Sequence, residues 1–472
     1  MDNRPGYSKV TFPLAALLIA GSIFGPLLLA QSQPATPALV IDGATLIDGT
    51  GKSPVAGVAI LIEGKRIRQI GPSGSLKVPA GAQTIQARGK FVIPGLIDLH
   101  VHYNAPWLHK LYLANGVTTV RDLGSAPDKI LTLRQEIAAG NILAPRLFVS
   151  GMPINPRSIK AGGYSSAKEM ALKQAEAGVD GIKANGYTVD ELKGIVEAAH
   201  SKGLTVYGHT GPKFNNEGPG TLAAVEAGID GVEHVLQLLE DSLDKPVPVP
   251  ADFDGSRSDQ LYRYYYGRLH RVVDFKKLDH LIQRMVEKNV FLDPTIVTHE
   301  RNFAFRNTPE ILANPALRYM TEDRPDRLGH YEAEDREEWK KVSTLMKQTT
   351  YKFHKAGGML VLGTDSQAAS PDGALPGWSM HEELQNFVSS GITPMEVIQI
   401  ATRNNARALR QEKDLGTVEV GKYADLVILD ANPLADIRNT QKIYRVVREG
   451  LVLDPRVLLE QHLQQFGEKK RK

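Results

Sequence analysis

Hydrophobic and polar positions follow different rhythms along the 472 residues. Short apolar runs at 39–47, 58–63, 66–70 and 84–87 are separated by Asp48-Gly49, Glu63-Gly64-Lys65 and Gly71-Pro72. Runs of this length between turn residues predict strands and hairpins. The same rhythm returns at 415–418, 424–429 and 443–448, with Gly421 and Glu449-Gly450 as turns. Between these ends, candidate strands at 96–101, 117–122, 146–150, 181–184, 205–209, 231–235, 291–296 and 361–365 alternate with amphipathic stretches such as 166–177, 189–202 and 337–356. Alternation of this kind predicts an α/β fold with a parallel sheet. Eight such units predict a (β/α)8 TIM-like barrel over 93–410. Chain ends often lie close together, so 38–92 and 411–455 are expected to pair into a small composite β-sandwich domain. Two polar and aromatic stretches, 241–274 after the sixth strand and 298–334 after the seventh, exceed what a barrel needs. They follow strand C-termini, the face on which such barrels keep their active sites.

The first residues follow another pattern. Arg4 and Lys9 precede an apolar run at 10–30, interrupted by Thr11 and Ser22 and followed by Gln31-Ser32-Gln33-Pro34. This predicts a signal peptide over 1–30, cleaved after Ala30 or near Ala35 or Ala38, and hence export to the periplasm or beyond. The run approaches the ~20 residues that span a bilayer, so without cleavage it would be a membrane anchor. Pro13 and Pro26 disfavour a stable helix there. Charge adds an exclusion: 56 basic against 53 acidic residues, net +3, argues against a nucleic-acid partner. Much of the excess lies in the tail 468–472. Cysteine is absent, so a metal site must draw on His, carboxylate or lysine-derived ligands. The partner expected is a small-molecule or short-peptide substrate, with self-association left open.

The candidate chemistry sits at strand ends. His100 and His102 close the first predicted barrel strand, and residues i and i+2 share a face. Two imidazoles aimed at one point suit a shared metal ion; two packed histidines are the alternative. Lys183 lies in the fourth strand, His209 and His234 end the fifth and sixth, and Asp365 ends the eighth. Barrel strand ends converge on one rim, so the six side chains are expected to meet.

These residues carry a resemblance. The run Val92-Ile93-Pro94-Gly95-Leu96-Ile97-Asp98-Leu99-His100-Val101-His102, then Gly116-Val117-Thr118-Thr119-Val120-Arg121-Asp122-Leu123-Gly124, Lys183, His209, Glu233-His234, Gly363-Thr364-Asp365 and the ending 421–430 resemble the metal-dependent amidohydrolase superfamily. Within it the chain is most similar to the imidazolonepropionase-like and Xaa-Pro dipeptidase branch. The resemblance implies hydrolysis of an amide bond, of a dipeptide or N-acyl amino acid. It implies two divalent metal ions, zinc by expectation. His100, His102 and Asp365 would hold one and His209 and His234 the other. A carbon-dioxide-derived carbamate on Lys183 would join them, and Asp365 would be the catalytic base. A mononuclear deaminase or cyclic-amide hydrolase of the same fold is the alternative, and an exported binding protein without chemistry is a third reading.

Five further residues are candidate substrate contacts. Tyr207 stands two before His209 and shares its face, either to polarise a carbonyl or to pack. His299 follows the seventh strand and His381 opens a helix after the eighth; each faces substrate or packs. Arg263 and Arg268 flank the tyrosine run 264–266 and would grip a carboxylate, or belong to a helix packed on the rim. Arg121-Asp122 reads as structural.

Overall fold

The computed structural model describes residues 37–467, apart from 104, 212–217, 307, 321–330 and 368–372. The expected signal peptide or anchor at 1–30 lies outside the described residues. No described helix is long and apolar enough to cross a membrane.

Both chain ends build one sheet. The N-terminal part supplies β1 (Leu39–Leu46), β2 (Val55–Glu63), β3 (Arg66–Pro72), β4 (Gln83–Gln86) and β5 (Phe91–Pro94). After β6 (Leu96–His102), β7 (Val117–Asp122), β8 (Arg146–Val149), β9 (Gly181–Asn185), β10 (Thr205–His209), β11 (Gly231–Glu233), β12 (Phe291–Asp293) and β13 (Ser366–Gln367), the C-terminal part adds β14 (Leu426–Leu429), β15 (Ile443–Arg448) and β16 (Leu451–Leu453). The eight-stranded order is β16-β15-β14-β5-β1-β2-β3, with β4 paired to β1. The ends meet where β5 runs antiparallel to β14, Pro94 opposite Leu426. Alternate residues of this pair face two ways, as strand geometry requires. Val92, Leu426 and Ile428 pack with Ile41, Ile60 and Val447. Ile93, Val427 and Leu429 join Leu96 and Val117 in the larger core. Each such aliphatic side chain contributes ~1.5–3 kcal/mol by leaving water. In hydrogen-bonding terms the expected sandwich is therefore a single sheet with a separate core on each face. It is not set apart from the rest: the chain from Pro37 onward forms one compact unit. No strand forms at 415–418, where Val418 instead donates its backbone N–H to Asp48.

The middle of the chain forms two four-stranded sheets, β12-β11-β10-β9 and β13-β6-β7-β8, with parallel pairing throughout. Isolated parallel bridges join them, Ile154 to Ala184 and Leu292 to Leu360. Helices follow the strands, and two of those flanking β9 begin on side-chain caps. Ser166 caps helix Ala167–Ala177, and Thr188 forms a capping box with Glu191 at helix Val189–Ser201. The eighth predicted strand, 361–365, is not regular. It is still held by backbone bonds on both sides, from Val361 to Leu292 and from Leu99 to Leu362.

An ionic cluster pins the end sheet to β8. Glu449, in the β15–β16 turn, lies 2.8 Å from each of Lys65, Arg146 and Arg448. Tyr423 is stacked by Arg66 and Arg146, each 4.1 Å from its ring centre. Burial alone would push Glu449 up, but Arg448, Lys65 and Arg146 hold it down at about 2. A carboxyl with a depressed folded-state pKa stabilises above its unfolded value and loses that contribution as pH falls. At ~1.36 kcal/mol for each tenfold change in proton affinity, the cluster contributes at most about 3 kcal/mol, and less once solvent screening at this half-buried position is counted. Glu449→Gln is expected to lower the melting temperature at pH 7 by several degrees. Between pH 4.5 and 2 its melting temperature should fall less steeply than that of the parent. Equal acid slopes in thermal melts would refute the assignment.

Candidate metal centre

β6 carries His100 and His102 on one face, and β13 pairs beside it, Gln367 opposite His102. Asp365 is drawn in by its own N–H, which donates to the His100 carbonyl at 2.8 Å. Its Oδ1 stands 3.4 Å from His100 Nε2 and 3.1 Å from His102 Nε2. On the other sheet, His209 ends β10 and His234 follows β11, their Nε2 atoms 3.0 Å apart. Lys183, from β9, is buried with its Nζ 3.4 Å from His100 Nε2. The His100 ring centre is 4.9 Å from that of His234. All six strand-end candidates thus lie in one cluster.

Partners behind the imidazoles fix which nitrogen faces inward. His100 Nδ1 is 2.9 Å from Glu233 Oε2, and Glu233 Oε1 accepts from Arg121 Nη2 at 2.7 Å. His234 Nδ1 is 2.6 Å from Thr295 Oγ1. A histidine held at one ring nitrogen by a carboxylate or hydroxyl presents the other to a metal. Burial, with neighbouring cationic groups, drives His209 and His234 well below the ordinary imidazole range. Burial also pushes the Lys183 ammonium down, against the pull of Asp365 and Glu233. Burial works against ionisation of Asp365, yet His100, His102 and His234 hold it well below the usual carboxylate range.

This donor set fits a metal. Two bonds of ~2.0–2.1 Å at a tetrahedral angle put ligand atoms about 3.3 Å apart, and the inward-facing atoms here are separated by 3.0–3.4 Å. His100, His102 and Asp365 also form one of two groups of three potential ligands among the described residues. The other, His100 with Glu233 and Asp293, serves orientation. Glu233 is engaged by Arg121, and Asp293 Oδ1 accepts the Gly363 N–H at 2.8 Å.

The expected substrate contacts fare differently. Tyr207 lies below the ligands: its hydroxyl is 2.6 Å from Ser150 Oγ and its ring stacks on Arg121 at 3.9 Å. Two residues along a strand is ~6.6 Å, and that step takes the ring into an apolar cluster with Phe291. His381 is also misplaced as a substrate contact. It is buried between Thr440 Oγ1 at 2.9 Å and the Asn115 carbonyl at 3.1 Å. Arg263 pairs with Asp335 at 2.7 Å, fastening the 241–274 insertion to helix Ala333–Lys355. Arg268 lies over Tyr264, 5.0 Å from its ring centre. His299 does reach the cluster, its ring 5.6 Å from that of His234 and its Nδ1 3.1 Å from the Thr295 carbonyl. Arg121 is structural, donating to the Leu99 carbonyl and to Glu233.

Sequence reasoning passed over Glu233, Thr295, Asp98 and Glu383. Asp98 accepts from the backbone of His100 and Thr364, tying β6 to the 361–365 segment. Glu383 accepts the Ile296 and Val297 N–H groups at 2.7 Å and so holds the turn bearing Thr295 and His299. The signal for Glu233 was its place beside His234. Strand alternation would put the two on opposite faces, but His234 has φ 70°. Thr295 (φ 46°) and Asp365 (φ 53°) are left-handed as well. Non-glycine residues in this region carry strain, which collects at functional sites.

Imidazoles stripped of charge, an ionised carboxylate and a disfavoured ammonium at parallel-strand ends are the equipment of a metal-dependent hydrolase of carbon–nitrogen bonds. The chain belongs to the amidohydrolase family, which its residues 91–453 match. It is 24% identical over 401 residues to an imidazolonepropionase from Streptomyces avermitilis, covering 81% of this chain and 83% of that one. A Xaa-Pro dipeptidase crystallised with methionine in its active site superposes with a TM-score of 0.64 at 22% identity, over 88% of this chain and all of that one. Molinate hydrolase superposes with a TM-score of 0.65 at 21% identity, over 90% of this chain and 96% of that one.

Proposed function

We propose that the protein is a binuclear metallohydrolase that cleaves the amide bond of a dipeptide or an N-acyl amino acid. The observation that carries this reading is Lys183. It is buried among imidazoles, and among the described residues its one hydrogen-bond neighbour is His100 and no carboxylate lies within ion-pair distance. An ammonium is out of place there. A carbamate on Nζ offers two oxygens to two cations. In this reading the two parallel sheets are halves of a closed (β/α)8 barrel, supported by the bridges at both seams. The segment 1–30 is an export signal or anchor.

His100, His102 and Asp365 would hold one divalent ion, His209 and His234 the other, with carboxylated Lys183 between them; zinc suits this nitrogen and oxygen set. When bound, such ions supply Lewis acidity toward a carbonyl oxygen and an acidified water at neutral pH. Asp365, ionised by its imidazole neighbours, takes the proton of the attacking water and returns it to the leaving nitrogen. Glu233 and Thr295 keep His100 and His234 turned inward throughout.

The test is metal analysis of the purified protein beside a panel of dipeptides, N-acyl amino acids, cyclic amides and aminopurines. Two metal equivalents with release of amino acid from the first two classes is the expected result. One equivalent, with turnover confined to cyclic amides or aminopurines, would replace this reading with the mononuclear one.

A further inference from the structure

His299 ends the short helix Ile296–His299 that follows β12. The helix is fixed in place: Glu383 takes its first N–H groups, and His299 Nδ1 is 3.1 Å from the Thr295 carbonyl. A carbonyl only accepts, so Nδ1 carries the proton. Nε2, at the far end of the ring, then presents a lone pair away from the helix. Burial disfavours a second proton on this ring. Nε2 hydrogen-bonds to no described residue, although His299 is only 2% exposed. A buried acceptor without a donor is costly and marks a place for one. The ring meets that of His234 edge-on, centres 5.6 Å apart, and stacks on Trp339 at 6.3 Å. It therefore touches a proposed ligand, and the charge of Asp365 reaches it across the centre. Glu300, the next residue, is already paired with Lys347 at 2.8 Å. Asp365 stands against His100 and His102, whereas His299 stands against His234, so the two flank the centre from different sides.

We propose that His299 Nε2 accepts a hydrogen bond from the free α-ammonium of the substrate's acyl residue. This rests on the amide-hydrolase reading and narrows it to dipeptides. A lone pair receives neither a carboxylate nor a carbonyl oxygen, and the backbone of a dipeptide brings two donors, the ammonium and the amide N–H. The amide nitrogen is the one that Asp365 protonates, on the side of His100 and His102. The ammonium, across the carbonyl from it, is the donor for His299 and makes a charge-assisted bond. An N-acyl amino acid lacks that donor and leaves Nε2 unpaired.

The test uses the zinc-loaded enzyme with glycylleucine and N-acetylleucine, which differ only by the amino group. In the parent, kcat/KM for glycylleucine should exceed that for N-acetylleucine by on the order of 10²-fold. In His299→Phe, which keeps a ring against Trp339 and loses the acceptor, that ratio should fall by about 10-fold or more. His299→Gln, which returns an acceptor oxygen, should recover part of it. A parent without this preference, or a His299→Phe variant that slows both compounds equally, would overturn the contact while leaving amide hydrolysis standing. Binding is read separately, from the nitrogen NMR signals of the His299 ring, identified by their loss in His299→Phe, as glycinamide or acetamide is added. The Nε2 signal should move with glycinamide and stay with acetamide. No movement with glycinamide overturns the contact whatever the rates. Movement without hydrolysis of either leucine compound keeps the contact and removes the reaction.

Discussion

Lys183→Ala is expected to lower bound metal from two equivalents to one or none, and to cut kcat by on the order of 10³-fold, the scale seen when one preorganised electrostatic element of a transition state is removed. The reason lies in the place of Nζ, 3.4 Å from His100 Nε2 and without a carboxylate at ion-pair distance among the described residues. Truncation to alanine leaves His209 and His234 facing each other at 3.0 Å with no anionic group between them and the Asp365 side. Folding is not expected to suffer, because the ammonium is itself disfavoured by burial there. Metal analysis and a thermal melt of the metal-free protein separate the two effects. A variant that keeps both equivalents and its rate would remove Lys183 from the centre. Recovery of the second equivalent on adding acetate, a small carboxylate that fits the vacated space, would identify the missing group as an oxygen donor.

Asp365→Asn is the second large effect. The amide keeps the shape and loses both the charge and the capacity to accept a proton. Loss of general base and acid action costs ~10²–10⁴-fold, and kcat is expected to carry it, with KM little changed. In the parent, kcat should fall on the acid side as the base is protonated. The sign follows from a carboxyl held well below its ordinary value: the base stays ionised until the pH is strongly acidic. The Asn variant should lose that acid limb. Retention of kcat within about 10-fold would assign the proton transfer elsewhere.

Much of this arrangement is legible in the pattern of residues alone. The bounds of β7 and β10 coincide with the apolar runs at 117–122 and 205–209, and the six strand-end side chains meet because parallel strands deliver their C-termini to one place. What failed to read did so for definite reasons. The segment 361–365 has strand composition, yet Gly363 is wedged so tightly that a Cβ there would collide with Asp293 and His100. Asp365 then turns left-handed, so regular pairing resumes only at Ser366. For Tyr207 the face was right and the depth wrong, since period-2 reasoning says nothing of position along the strand relative to the site. His381 and Arg263 are fixed by Thr440 and Asp335, partners 59 and 72 residues away, which no local pattern announces. Glu233 stayed hidden because only the left-handed φ of His234 lets adjacent residues point to the same side.

The pairing of β5 with β14 bears on how the protein comes into being. Its register sets Phe91 against Leu429 and Pro94 against Leu426, at opposite ends of the sequence. Closing so long a span costs chain entropy that early, nearby contacts do not repay. The N-terminal strands must wait, with the edge of β5 open, until residues 426–429 are available to pair with it. Strand edges kept waiting in this way are where nascent chains aggregate. The late pairing of β14 is therefore the step that closes this edge against aggregation.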